Sequence, residues 1–262
     1  MQLGHSILGF YYQQDPRSWP TLPEAVRAVL SVDAGLGVEV GDAKALHGAA
    51  VAGAELAALI DACADAAFTV VHTRTGFWNW NPTNLRQEID FAQTLGARTL
   101  VLHSESLGLA VEDDRPDWPE IARITQYAAD RNVRLALENL QDTIWALDRV
   151  LEEIGDDPER TNLGICIDIG HAHQSEDAGR DSVTNYLERY AAQLAHLHLH
   201  DNRGETDDHF LPGEGTVDWP HVLKVLLRLG YSGTAAFEVR QPGISSLENI
   251  RRALAFYRHE GF

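Results

Sequence analysis

Residues 195–215 read AHLHLHDNRGETDDHFLPGEG. His196, His198 and His200 alternate there with Leu197 and Leu199, and an acidic turn carrying Asp207, Asp208 and His209 follows. A period of two over this length is a β-strand with leucines on one face and imidazoles on the other. Two readings compete. One is a polar edge strand; the other is a metal site at the end of a barrel strand, because imidazole and carboxylate together suit zinc, manganese or iron.

Outward from this strand, short apolar runs recur at 3–10, 36–40, 68–72, 99–103, 134–138, 163–168 and 234–239. With the quoted strand they make eight, spaced by roughly 30 residues, the length of one strand, one helix and their connections. Amphipathic stretches fill the gaps at 23–32, 54–66, 84–95, 118–131, 143–154, 181–193, 219–229 and 245–259. Several open with helix-start signals, among them Thr21-Leu-Pro-Glu24, Asn81-Pro82 and Asp218 ahead of Trp219-Pro220. Eight strand and helix pairs without a linker or a change of composition predict one α/β domain, a (β/α)8 TIM barrel over residues 1–262.

Side-chain parity tests that reading. The runs end in Glu39, His72, His103, Glu138, Asp168, His200 and Glu238. Two residues back lie Gly37, Val70, Val101, Ala136, Cys166, His198 and Ala236, expected to point inward. The residues between, such as Val38, Val71, Leu102, Leu137, Ile167, Leu199 and Phe237, are apolar and fit the helix-facing surface. Ligand-type side chains therefore converge on the C-terminal mouth, where such barrels place their chemistry. A lone terminal Glu is ordinarily a solvated surface group and a lone His a hydrogen-bonded core residue; their concurrence at successive strand ends is the signal. Carboxylates gathered at that depth are costly to keep ionised unless a divalent cation joins them.

ENL at Glu138, DIGH at 168–171, HLHD at 198–201, DDH at 207–209, GEG at 213–215 and FEV around Glu238 resemble the xylose isomerase-like TIM barrels. These are also grouped as the AP endonuclease family 2 superfamily, and the resemblance runs along essentially the whole chain. Its isomerase and epimerase branch implies a single manganese, cobalt or zinc ion held by Glu138, Asp168, His198 and Glu238, with His171 on the substrate. Glu138 and Glu238 would then exchange a proton on either face of a carbon beside a metal-polarised carbonyl. An arginine usually follows the strand-seven histidine in that branch, which makes Arg203 a substrate-binding candidate.

The endonuclease IV-like branch implies three zinc ions instead. His72, His103 and Glu138 would hold the first; Glu138, Asp168, His198 and Glu238 the second; His171, Asp207 and His209 the third. Single-ion chemistry has no use for His72, His103, Asp207 or His209. Five neutral imidazoles and four carboxylates with three divalent ions leave this site near +2, which attracts a phosphoester, whereas one ion on Glu138, Asp168 and Glu238 leaves about −1 and suits a neutral polyol. The expectation placed first is therefore hydrolysis of a small-molecule or sugar phosphoester, with sugar or sugar-phosphate isomerisation or epimerisation second and a non-catalytic metal- or carbohydrate-binding barrel third.

Lys and Arg total 21 against 39 Asp and Glu, a formal charge of −18, and no basic cluster stands out. This balance argues against a nucleic-acid partner, although a local patch or bound cations would offset it. Cys63 and Cys166 lack a CxxC spacing and read as reduced packing residues. No stretch resembles a signal peptide or approaches the ~18 apolar residues that span a bilayer, so a cytoplasmic chain is expected. Nothing in the pattern fixes an oligomeric state.

Further candidates surround the mouth. The resemblance directs Glu39 to substrate, the alternative being an ion pair with Arg74 or Arg240. Trp78, in the FWNWN stretch at 77–81, is a candidate sugar-stacking wall or a helix-packing aromatic. His173, His200 and His5 are candidates for lining the pocket, Tyr11, Tyr12 and Trp19 for a substrate wall. Asp201 and Asn202 are expected to shape a turn.

Overall fold

The computed structural model describes residues 1–11, 19–41, 51–73, 80–140 and 144–259. Eight parallel strands close into a barrel in chain order: β1 Gln2–Ser6, β2 Gly37–Gly41, β3 Thr69–His72, β4 Thr99–His103, β5 Arg134–Glu138, β6 Leu163–Asp168, β7 Leu194–Leu199 and β8 Thr234–Phe237. Around them lie α1 Leu22–Val32, α2 Gly53–Ala64, α3 Pro82–Thr94, α4 Trp118–Ala129, α5 Ile144–Ile154, α6 Pro158–Thr161, α7 Ile169–Asp177, α8 Val183–Arg189, α9 Trp219–Arg228 and α10 Ser246–His259. The (β/α)8 TIM barrel expected from the alternation is the fold observed.

Helix starts follow local chemistry. The Glu24 carboxylate accepts from Thr21 N at 2.8 Å and Thr21 Oγ1 at 2.9 Å, closing the first turn of α1. Asn81 Oδ1 accepts from Thr83 N and Asn84 N, and Asp218 Oδ1 from His221 N, with Pro82 and Pro220 inside the first turns. Two boundaries differ from the sequence reading. The apolar run at 3–10 stops being a strand at Ser6, because Ile7–Phe10 turns into a 3-10 helix capped by the Ser6 hydroxyl. α7 falls where a loop was expected, and its first seven residues are buried apart from partly exposed His173, so no amphipathic stripe marks it in the sequence.

Parity divides the interior into two cores. Val70, Val101, Ala136 and Cys166 pack together inside the barrel, while Val38, Val71, Leu102, Leu137, Ile167, Leu199 and Phe237 pack with the helices outside. Each fully buried aliphatic side chain contributes ~1.5–3 kcal/mol. Phe68 packs against the inner core where β3 begins. A Cβ on Gly37 would lie 2.3 Å from its ring and one on Gly4 2.8 Å away, so these glycines leave the room that Phe68 fills at the N-terminal end of the barrel. No helix among the described residues is long and apolar enough to cross a membrane.

Candidate metal centre

His198 stands at the middle of the site. It is fully buried on β7, and three carboxylates from neighbouring strand ends face its Nδ1: Glu138 Oε1 at 3.2 Å, Asp168 Oδ2 at 3.5 Å and Glu238 Oε2 at 3.6 Å. Strand order explains the meeting, since β5, β6, β7 and β8 are consecutive around the ring; Glu138 and Asp168 end their strands, His198 is next to last in β7 and Glu238 directly follows β8. On its other side, Nε2 of His198 lies 2.9 Å from Glu39 Oε2.

Two further histidines meet the remaining oxygen of Glu138. Nε2 of His72 is 2.8 Å and Nε2 of His103 3.0 Å from Glu138 Oε2. The three side chains are buried, and the two rings stand edge to face at a centroid distance of 5.2 Å.

The opposite flank is built by α7 and the loop after β7. Asp168 Oδ1 accepts from His171 N at 2.7 Å, so the strand-end carboxylate also caps α7 and fixes His171 one turn in. Nε2 of His171 is 3.6 Å from Asp207 Oδ1, and Nε2 of His209 is 2.9 Å from Asp207 Oδ2. His209 adopts a φ of 53°, a left-handed backbone that turns its ring back over the mouth, where Nδ1 lies 2.6 Å from Glu238 O. His200, expected only to line the pocket, is fully buried with Nε2 at 2.9 and 3.0 Å from the two oxygens of Asp168, and its ring stacks on His209 at 4.0 Å. That arrangement needs Gly170, where a Cβ would lie 1.9 Å from His200 Cε1. His196, named in the sequence only as part of the alternation, lies one layer deeper with Nε2 3.4 Å from Glu39 Oε2. The strict alternation through His200 is the signal that places both.

Charge is redistributed by this crowding. Burial works against an ionised Glu138, yet His198 and His103 hold its carboxyl well below the usual range. Burial likewise works against protonating His198 and His171, and the carboxylates around each raise both well above 6.5. Burial lifts Glu238 to about 7, with His198 and His72 opposing and Glu39 and Glu138 adding to the lift. His209 is lowered to about 4 by burial and by the neighbouring His200. Two carboxylates at one mouth thus differ widely in proton affinity.

The donor set fits divalent cations. Trios such as His72, His103 and Glu138, or His72, His198 and Glu238, bring their donor atoms within 4.8 Å of one another. Buried Glu238 Oε1 and Asp207 Oδ1 have no hydrogen-bond partner among the described residues, a cost that a cation removes.

Other expected site residues stand elsewhere. Glu39 is fully buried, with Oε2 2.9 Å from His198 Nε2 and 3.4 Å from His196 Nε2. His173 is two positions from His171 on α7, so it projects from another face and meets Thr216 Oγ1 at 2.9 Å. Arg203 lies across the Phe210 ring at 5.2 Å. Among the described residues an arginine beside the centre is Arg240, whose Nη2 donates to Asp207 O at 2.9 Å. His5 carries the outward parity of β1, level with Val38 and Phe237. Trp78, Tyr12 and Arg74 lie outside the described residues; Tyr11 is buried and meets Trp19 edge to face.

A model of the xylose isomerase-like TIM barrel family matches residues 33–260. The chain belongs to that family. An uncharacterised protein of Sinorhizobium fredii, y4fM, is 31% identical over 59% of this chain and 51% of its own length. The inosose dehydratase of Yersinia enterocolitica is 23% identical over 60% of this chain and 63% of the dehydratase. The chain thus spans about half the length of the first relative and under two thirds of the second. A solved D-tagatose 3-epimerase-like protein shares the fold with a TM-score of 0.72 at 20% identity, covering 99% of this chain and 97% of the other.

Proposed function

We propose that this family member is a divalent-metal-dependent enzyme that moves a proton on a carbon beside a carbonyl of a sugar or related polyol, as in isomerisation or epimerisation. The observation that carries the reading is the convergence of Glu138, Asp168 and Glu238 on Nδ1 of His198. These four are the ligand set that the isomerase and epimerase branch implies for one ion, and the D-tagatose 3-epimerase-like fold and the inosose dehydratase relative support a polyol substrate. That support reverses the order expected from sequence, in which phosphoester hydrolysis came first.

When bound, the cation would polarise the carbonyl and the adjacent hydroxyl. Glu138 leaves β5 and Glu238 follows β8, with β6 and β7 between them, so the two carboxylates approach a bound polyol from separate sides. One removes a proton from carbon and the other returns it. Arg240 and His171 line the same opening and hold substrate oxygens. The test supplies ketoses and keto-cyclitols in D2O with one equivalent of manganese, cobalt or zinc and follows deuterium entering the carbon next to the carbonyl. Glu138→Gln and Glu238→Gln are each expected to slow that exchange by at least ~10²-fold; exchange at the wild-type rate in both variants overturns the proposal.

A second reading rests on a separate observation. His72 and His103 on Glu138, with His209 and His171 on Asp207, supply donors for two more cations. Three zinc ions per chain, with phosphoester release that falls in His72→Ala and His209→Ala, would favour a hydrolase. One ion per chain with unchanged sugar turnover in those variants would exclude it.

A further inference from the structure

Glu39, which the family resemblance directs to substrate, is fully buried against His198, and this contact gives it a task of its own. His198 separates two environments. Its Nδ1 faces the three carboxylates of the mouth, between 3.2 and 3.6 Å away, and its Nε2 faces Glu39 Oε2 at 2.9 Å. Both side chains are fully buried, so water does not complete either contact. We propose that Glu39 is a positioning residue that holds the Nε2 hydrogen of His198 and thereby presents the Nδ1 lone pair to a cation at the mouth.

The argument is one of satisfied valences. A neutral imidazole has one N–H and one lone pair, and the contact made by the first decides where the second points. Exchange of the two would aim an N–H at the cation and leave Glu39, an anion sealed in the barrel, facing a lone pair. His196 steadies the arrangement from below. The Thr234 hydroxyl lies 2.7 Å from His196 Nδ1, and His196 Nε2 lies 3.4 Å from the same Glu39 oxygen, an electrostatic contact without a hydrogen bond. Outer carboxylates of this kind fix the orientation of a ligating histidine and raise its basicity. Glu39 and His196 thus form a layer beneath the mouth whose effect reaches the substrate only through His198.

This inference rests on reading His198 as a metal ligand, and the test separates the two. Zinc alone is titrated into the full chain against a chromogenic chelator. The protein is also labelled with 15N in histidine, and two-bond correlations are recorded with zinc bound, His198→Ala identifying the signals of that ring. The expected result is a hydrogen on Nε2 and zinc on Nδ1, with zinc held about 10–100-fold more weakly in Glu39→Leu and less weakened in Glu39→Gln, whose amide oxygen still accepts the hydrogen. A hydrogen on Nδ1, or zinc affinity within about threefold of wild type in both variants, overturns the role of Glu39 while leaving the metal reading intact. Wild-type protein that takes up no zinc overturns both. Should Glu39→Leu fail to fold, the wild-type spectrum and Glu39→Gln decide.

Discussion

Asp201 Oδ2 accepts a hydrogen bond from Trp219 Nε1 at 2.9 Å, tying the end of β7 to the start of α9. The same buried carboxylate accepts from Asn202 N, Gly213 N and Val217 N at 2.9, 2.8 and 3.1 Å. Asp207 and His209 ride on the loop that these bonds enclose. Asp201→Ala strands several donors at once and is expected to cost ~3–5 kcal/mol in urea unfolding. Where the variant still folds, weaker binding of any cation that needs Asp207 and His209 should accompany the loss, checked by metal titration.

Gly170 lies in the first turn of α7, where alanine would ordinarily gain ~1 kcal/mol of helix stability. His200 reverses that sign, because the new methyl would occupy its ring position. Gly170→Ala is expected to destabilise by ~1–3 kcal/mol and to displace His200 from Asp168. Thermal unfolding checks the first, and the NMR signal of the His200 ring checks the second.

Burial works against protonating His171 and His198, yet the charged groups around them, carboxylates among them, raise their proton affinity. Raised proton affinity favours the protonated ring, whereas ligation needs its lone pair. Metal binding should therefore release protons, and affinity should climb as pH rises. Calorimetry in buffers of different ionisation enthalpy measures the number released; zero at pH 7 contradicts the expectation.

His5 is buried outside the centre, and burial lowers it from 6.5 to about 4. A lowered folded value means that the unfolded chain binds the proton first. Stability from this group is therefore complete above pH 6.5 and is lost as pH falls toward 4, by about 3 kcal/mol. His5→Asn, which keeps a donor for Ser6 O, should flatten the urea-unfolding free energy across that window relative to wild type.

The strand ends were the legible part of this chain. Once Glu138, Asp168 and His198 are put on inward positions, a closed ring leaves them no place but the mouth, so sequence parity carried both the fold and the central cluster. Residues on loops were not legible in the same way. The sequence reading picks Arg203 as the substrate-binding arginine, whereas the contact from Arg240 to Asp207 brings Arg240 to the centre. Glu39 reads in sequence as the end of its strand, whereas Val40 and Gly41 continue β2 beyond it. α7 escaped notice since a helix buried on most sides shows no stripe.

Phe68 gives the barrel a stopper. With Phe68 against the inner core at its lower end, the barrel leaves Glu138, Asp168 and His198 to be reached from the mouth above them. Whatever sits deepest must arrive earliest and depart last, so a cation held against His198 would stay in place through many rounds of exchange above it.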